Sequence, residues 1–370
     1  MSFLPEALDL ARQPLRDRFQ AVTGHDVLRV LGQEHIGEAG FLSLLSPAAE
    51  PNLEAMAARA HDLTLRHFGR TVSLFTPLYI SNHCANHCRY CGFAATNTIP
   101  RSQLTLDEVR AEGEAIAATG LGHLLLLTGE APQKAGVDYL EACVRVLRPL
   151  FPSLSIEVYP MDTADYRRLV AAGVDGLTVF QETYDPALYA ELHPAGPKRD
   201  YAYRLNTPQR GAEAGMRVVN IGALLGLSDW RREIYITGLH AAWLQKRYPG
   251  VDIAVSLPRM RPHAGAFQPA CIVSDRELVQ AMTALRIFLP RLSVTISTRE
   301  APAFRDNILP LGVTRMSAGV STAVGGHTKP ADNGQFEISD PRSVEEVCAM
   351  LRSRGYQPVF KDWEPLDASA

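Results

Sequence analysis

The chain has 370 residues, 46% hydrophobic and 21% charged, with a formal net charge of −3. That profile belongs to a globular protein of one large domain or two ordinary ones, and it excludes a disordered or fibrous chain. No basic face or run of like charge points to nucleic acid as a partner.

The opening residues Met1-Ser2-Phe3-Leu4-Pro5-Glu6 lack a basic start followed by an apolar stretch, so no secretory signal is expected. The most apolar runs, 124–127 and 218–227, fall far short of the ~20 residues needed to cross a bilayer. Neither a membrane nor a nucleic acid is expected as a partner, and the protein reads as cytoplasmic. Residues 1–70, rich in Ala, Leu and Arg, read as an interrupted helical extension. From residue 71 onward, apolar runs of strand length alternate with longer amphipathic stretches. The predicted strands are 72–80, 123–128, 154–159, 176–180, 217–221, 252–257, 292–297 and 313–317. Thr105-Leu106-Asp107-Glu108 and Ser274-Asp275-Arg276-Glu277 read as capping boxes. Asp340-Pro341 reads as an N-cap before a first-turn proline. Leu278, Met282, Leu285 and Leu289 recur at helical spacing and form one apolar face.

Strands alternating with helices imply a parallel sheet. The expected fold is α/β: a (βα)8 TIM-type barrel over residues 71–370, with an N-terminal helical extension and a short C-terminal tail. An open parallel sheet is the alternative. In a barrel, chemistry sits on loops at the C-terminal ends of the strands.

Six cysteines in a chain of this length do not make a disulfide scaffold. Cys143, Cys271 and Cys348 are scattered among apolar neighbours and read as core residues. Cys84, Cys88 and Cys91 instead share one short segment directly after the first strand. Thiolates converging from one loop suit an iron–sulfur cluster. A zinc site completed by His83 or His87 is the alternative, although zinc favours paired Cys-x2-Cys units.

The spacing Cys-x3-Cys-x2-Cys, with Tyr90 just before the last cysteine, resembles the radical S-adenosylmethionine (SAM) superfamily. The resemblance implies a [4Fe–4S] cluster on Cys84, Cys88 and Cys91, with one iron left open for SAM. Thr128-Gly129-Glu130, ending the second strand, resembles the superfamily's Gly-Gly-Glu element that binds the SAM amino group, with Thr128 in place of the first glycine. The stretch 221–227, with Gly222 and Leu224, resembles the apolar adenine-binding stretch. Arg204 stands where related enzymes pair an arginine with the SAM carboxylate. Tyr90 and Arg259 are further candidates for holding the cofactor.

More specifically, the chain resembles the 2-iminoacetate synthases, the tyrosine lyases of thiamine biosynthesis, from about residue 70 to Trp363. Carrying segments are Cys88-Arg89-Tyr90-Cys91-Gly92-Phe93, Phe180-Gln181-Glu182-Thr183-Tyr184, Glu191-Leu192-His193-Pro194-Ala195-Gly196-Pro197-Lys198, Ser256-Leu257-Pro258-Arg259, Ser297-Thr298-Arg299-Glu300, Ser317-Ala318-Gly319 and Phe360-Lys361-Asp362-Trp363. The resemblance implies scission of the Cα–Cβ bond of L-tyrosine to 2-iminoacetate and 4-cresol, with SAM split to methionine and 5′-deoxyadenosine. Arg299 is the candidate for the substrate carboxylate, because a guanidinium grips it bidentately. Ser317 could add a hydrogen bond, and Glu182 and Tyr184 could contact polar groups of SAM or substrate. A thiazole synthase and an electron donor such as flavodoxin or ferredoxin are the implied protein partners. The hydrogenase-maturing tyrosine lyase is similar over the barrel but holds a second cysteine-bound cluster, for which only Cys348 lies near the end here. A tryptophan lyase and a non-catalytic metal-binding protein are the remaining alternatives.

Overall fold

Runs rich in Leu, Val and Ile are driven out of water, and here they become strands covered on both faces. A computed structural model describes residues 2–261, 267–329, 334–361 and 363. Its strands are β1 (Thr71–Ser81), β2 (His123–Thr128), β3 (Ser153–Glu157), β4 (Gly176–Glu182), β5 (Val218–Ala223), β6 (Asp252–Ser256), β7 (Ser293–Ile296), β8 (Arg315–Ser317) and β9 (Gln357–Val359). Strands β1 to β8 pair in parallel with their sequence neighbours, and β8 returns to β1 through Ser73↔Arg315 and Phe75↔Ser317. The sheet therefore closes into a (βα)8 barrel, and the open-sheet alternative is set aside.

Strand β9 is not among the predicted strands. It pairs in parallel with the start of β1 through Thr71↔Gln357 and Ser73↔Val359. Beyond it, the Phe360 carbonyl accepts a 3.1 Å hydrogen bond from the Gly122 amide, just ahead of β2. The segment thus fills the β1 edge below the point where β2 begins. Trp363 lies under the Arg217 guanidinium, 4.9 Å from its ring centre. Asp362 falls outside the described residues.

The two capping boxes form as read, each with the reciprocal backbone and carboxylate bonds. Leu278, Met282 and Leu285 are fully buried, and Leu289 caps the end of their helix. Asp340 does not cap a helix. The last helix, Val344–Ser353, is capped by Ser343 in a box with Glu346. The Asp340 carboxylate is taken instead by two guanidinium groups, those of Arg305 and Arg342, and a paired buried charge outcompetes a capping bond.

Ahead of β1, the helices Leu4–Arg12, Leu15–Gln20, Gly24–Leu31, Glu38–Leu45 and Leu53–Phe68 share the barrel's hydrophobic core. Phe41 stacks on Phe288 at 4.4 Å and Phe3 on His240 at 4.5 Å, which ties this layer to the outer ring of helices. Among the described residues no helix is long and apolar enough to cross a membrane.

Arg305 and Asp340 are both fully buried. Removing one partner leaves the other charge uncompensated, so Asp340→Ala should destabilise the fold by about 3–5 kcal/mol. A lower urea midpoint with native far-UV circular dichroism is the expected result, and an unchanged midpoint would contradict it.

Candidate active site

Strand β1 runs straight into the loop that carries the three cysteines, at the C-terminal mouth of the barrel. Without regular structure, this loop needs other partners for its backbone polar groups. Arg101 supplies several: its guanidinium donates to the carbonyls of Asn82, Phe93, Ala94 and Asn97 at 2.6–3.2 Å. The Ala85 amide donates to the Glu130 carbonyl at 2.9 Å, and the His87 amide to the Ala195 carbonyl at 3.1 Å. Gly129 lies so close to the loop that a Cβ there would overlap the His83 carbonyl. Glycine at this position is therefore required by close packing of β2's end on the cysteine loop.

Cys84, Cys88 and Cys91 all line a cavity of about 230 Å³ that occupies the barrel mouth. Burial raises the thiols of Cys88 and Cys91, against the pull of the Lys198 ammonium. A bound cation centre is the kind of charge that would hold them as thiolates. Tyr90 packs with Cys88, Leu192, Leu224 and Leu227. Its hydroxyl meets His193 Nε2 at 2.7 Å. His193 Nδ1 faces the Tyr189 carbonyl at 2.7 Å, which only accepts, so Nδ1 carries the proton and Nε2 accepts from Tyr90. Burial keeps His193 neutral, its pKa lowered to about 3.

Below the cysteine loop sit two acids and two bases. Arg204 Nη1 lies 2.8 Å from Glu130 Oε1, and Lys198 Nζ lies 2.7 Å from Glu182 Oε1. Glu130 also accepts from Asn86 Nδ2 at 2.8 Å, and the Lys198 amide donates to Asn86 Oδ1 at 2.8 Å. Burial pushes both carboxyl groups up, but Arg204 and Lys198 outweigh it and hold them below the usual range. All four groups are therefore charged. Glu182 is the one non-glycine residue with positive φ (70°) among the described residues, where β4 loses register with β5. That strained turn places its carboxylate on Lys198.

Across the cavity, Arg299 lies 3.5 Å over the Phe336 ring. Its side chain makes no ion pair or hydrogen bond among the described residues. Ser317 lies beside it, its hydroxyl accepting from the Thr298 amide at 3.1 Å. Thr128 Oγ1 is buried and has no hydrogen-bond partner among the described residues. A buried hydroxyl without a partner is costly, and a ligand bound there would satisfy it.

Three predicted site residues do not reach the cavity. Tyr184 is fully buried elsewhere, its hydroxyl 2.9 Å from His240 Nδ1. The cause is the Glu182 turn, after which Glu233 captures the Thr183 hydroxyl at 2.6 Å and the Tyr184 amide at 2.8 Å. Arg259 is held away by Glu300, by Asp275 at 2.8 Å and by the Val273 carbonyl at 2.9 Å. Gly222 does not line the cavity. A Cβ there would come within 2.5 Å of the Ser256 carbonyl and 3.1 Å of the Phe180 ring, so its role is strand packing. Tyr90, Thr128, Gly129, Glu130, Glu182, Arg204, Leu224, Arg299 and Ser317 do line it. Residues not expected from the sequence are Asn86, Arg101, Glu157, Lys198 and Gln335. Asn86 and Lys198 lie inside the quoted motifs; the others carry no local signal.

The Radical SAM superfamily description matches residues 78–236, and the Biotin and Thiamin Synthesis associated domain matches residues 256–357. The 2-iminoacetate synthase of Escherichia coli (strain K12) is 43% identical over 355 residues, covering 95% of this chain and 93% of that one. The chain belongs to the 2-iminoacetate synthase family. The 2-iminoacetate synthase of Salmonella typhimurium is 42% identical over the same 95% of this chain and 93% of its own. Among solved structures, HydG, a maturase of the [FeFe]-hydrogenase, superposes with a TM-score of 0.89 at 30% identity, covering 96% of this chain and 81% of that one. Methylornithine synthase, at 21% identity and a TM-score of 0.71, shares the fold.

Membership of this family implies a [4Fe–4S] cluster and SAM as cofactors. The residues present fit them. Three cysteine sulfurs, an unpartnered Thr128 hydroxyl and a polar, charged wall face one volume.

Because Gly129 abuts the His83 carbonyl, Gly129→Ala should push the cysteine loop outward, with a strain of about 1–3 kcal/mol. Less iron per chain after anaerobic reconstitution is expected. Iron content equal to wild type would show that the loop yields freely.

Proposed function

We propose that this chain is a radical SAM lyase that breaks the Cα–Cβ bond of L-tyrosine, giving 2-iminoacetate and 4-cresol and supplying the thiazole moiety of thiamine. The observation that carries this reading is the convergence of the three cysteines, the Glu130–Arg204 pair and the uncompensated Arg299 on one cavity. When bound, a reduced cluster and SAM supply the carbon radical that takes a hydrogen from the substrate's amino group.

The chain's own residues bind, orient and exclude water. Cys84, Cys88 and Cys91 would anchor the cluster through their thiolates. Thr128 and Glu130 would hold the amino group of SAM, and Arg204, paired with Glu130, fixes that acid's direction. Tyr90 and Leu224 give an apolar wall for a flat base. Arg299 meets the substrate carboxylate, with Ser317 beside it. Leu125, Leu127, Phe180 and Tyr79 close the walls, which keeps water and stray hydrogen donors from the reacting atoms.

The imine product hydrolyses readily, so direct transfer to a thiazole synthase fits the chemistry, as does a small flavodoxin or ferredoxin as electron source. Free thiols and an iron–sulfur centre suit the reducing cytoplasm.

Product analysis tests the reaction. Anaerobically reconstituted protein with reductant, SAM and L-tyrosine should yield 4-cresol; an indole product from tryptophan instead would overturn the substrate assignment. Cys88→Ala should abolish SAM cleavage, because the cluster loses one of three anchors. Arg299→Ala should slow tyrosine turnover by about 30-fold or more, as expected for a lost charge pair, while abortive SAM cleavage survives. Equal loss of both activities would remove Arg299 from the substrate.

A further inference from the structure

Glu157 ends β3 and lines the same cavity as Arg299. Its backbone opposes Leu127 of β2 in register, and both residues line the cavity. Among the described residues its side chain has neither an ion pair nor a hydrogen bond. Arg299, of opposite charge and likewise unpaired, acts on it electrostatically. Every other acid that faces this volume among the described residues is already matched: Glu130 by Arg204, Glu182 by Lys198 and Glu300 by Arg259. Among those residues, one acid and one guanidinium without an ion-pair partner thus face a single cavity. Both side chains are half-buried, and charges withdrawn from water in this way are costly unless a ligand completes them. A free α-amino acid carries the complementary pair on one carbon.

We propose that Glu157 receives the α-ammonium group of the substrate while Arg299 holds its carboxylate, and that Glu157 accepts one proton from that ammonium. The inference rests on the amino-acid lyase reading above and adds the group that prepares the amine. In this step an N–H bond of the ammonium breaks, its electron pair stays on nitrogen, and the proton passes to a carboxylate oxygen of Glu157. The product is a neutral amine, from which a hydrogen atom is more readily taken than from an ammonium. The environment agrees. Burial first, and then the Glu182 charge, push Glu157 up to about 7, where a carboxylate exchanges protons efficiently near neutral pH. The groups that face it are Tyr79 from β1, Glu182 from β4, Lys198 and Arg204 from the segment after β4, and Arg299 from beyond β7.

The test is equilibrium binding to the reconstituted, SAM-loaded enzyme. L-Tyrosine is compared with 3-(4-hydroxyphenyl)propanoate, which keeps carboxylate and phenol but lacks the amino group. Glu157→Gln should weaken tyrosine about tenfold or more and the propanoate less than about twofold, as expected for one lost hydrogen bond to a charged group. Glu157→Asp should recover part of the loss. Wild-type affinity for tyrosine should fall as pH drops through about 7, because protonated Glu157 no longer opposes an ammonium, and Glu157→Gln should lose that dependence. Iron content and SAM binding verify that each variant is intact. Equal weakening of both compounds would place Glu157 at the phenol or in the scaffold and overturn the proposal, as would no weakening of either. A wild type that binds neither compound would sink the tyrosine reading and this inference together.

Discussion

The constraint on which this site depends is the neutralisation of four buried charges at the barrel mouth. Glu130 arrives at the end of β2, Glu182 at the end of β4, and Lys198 and Arg204 from the segment that follows β4. None of these groups could be buried alone without a penalty of several kcal/mol. Together they lock three chain segments, and through Asn86 they also hold the cysteine loop. The positions of the thiols are therefore coupled to the charge balance below them.

A barrel of parallel strands is well suited to this coupling. Each strand ends at the same rim, so residues distant in sequence face one volume with little loop between them. The regular part is the ladder of β1 to β8. The irregular part is the rim, where the chain accepts a positive φ at Glu182 and an irregularity in β1 near Tyr79. Both departures from regular geometry occur where side chains must be aimed into the cavity.

Much of this was legible in the sequence. Apolar runs bounded by turns located the eight barrel strands because burial on both faces demands continuous hydrophobicity. The cysteine spacing located the rim, and the Thr128-Gly129-Glu130 element located its second wall. Strand β9 was not legible, because Gln357-Pro358-Val359 is too short and mixed to carry a period. Nor was the fate of Asp340, since its competitors Arg305 and Arg342 act through tertiary contact. Tyr184 and Arg259 stood at strand ends, but direction there depends on the φ of Glu182 and on the Glu300 carboxylate. Glu157 carried no motif at all; its significance is the absence of a partner, which only three dimensions reveal.

The closure of the sheet on itself also governs how the chain must fold. The Thr76 hydroxyl bonds the Gly319 carbonyl, a partner 243 positions away, and β9 lies farther still along the chain. Until β8 leaves the ribosome, the first strand has no neighbour on the edge opposite β2, and until β9 does, the start of that strand is bare on the other edge as well. Nascent chains therefore expose an unpaired edge through most of synthesis, a surface that invites chaperone capture and makes early termination products prone to aggregation.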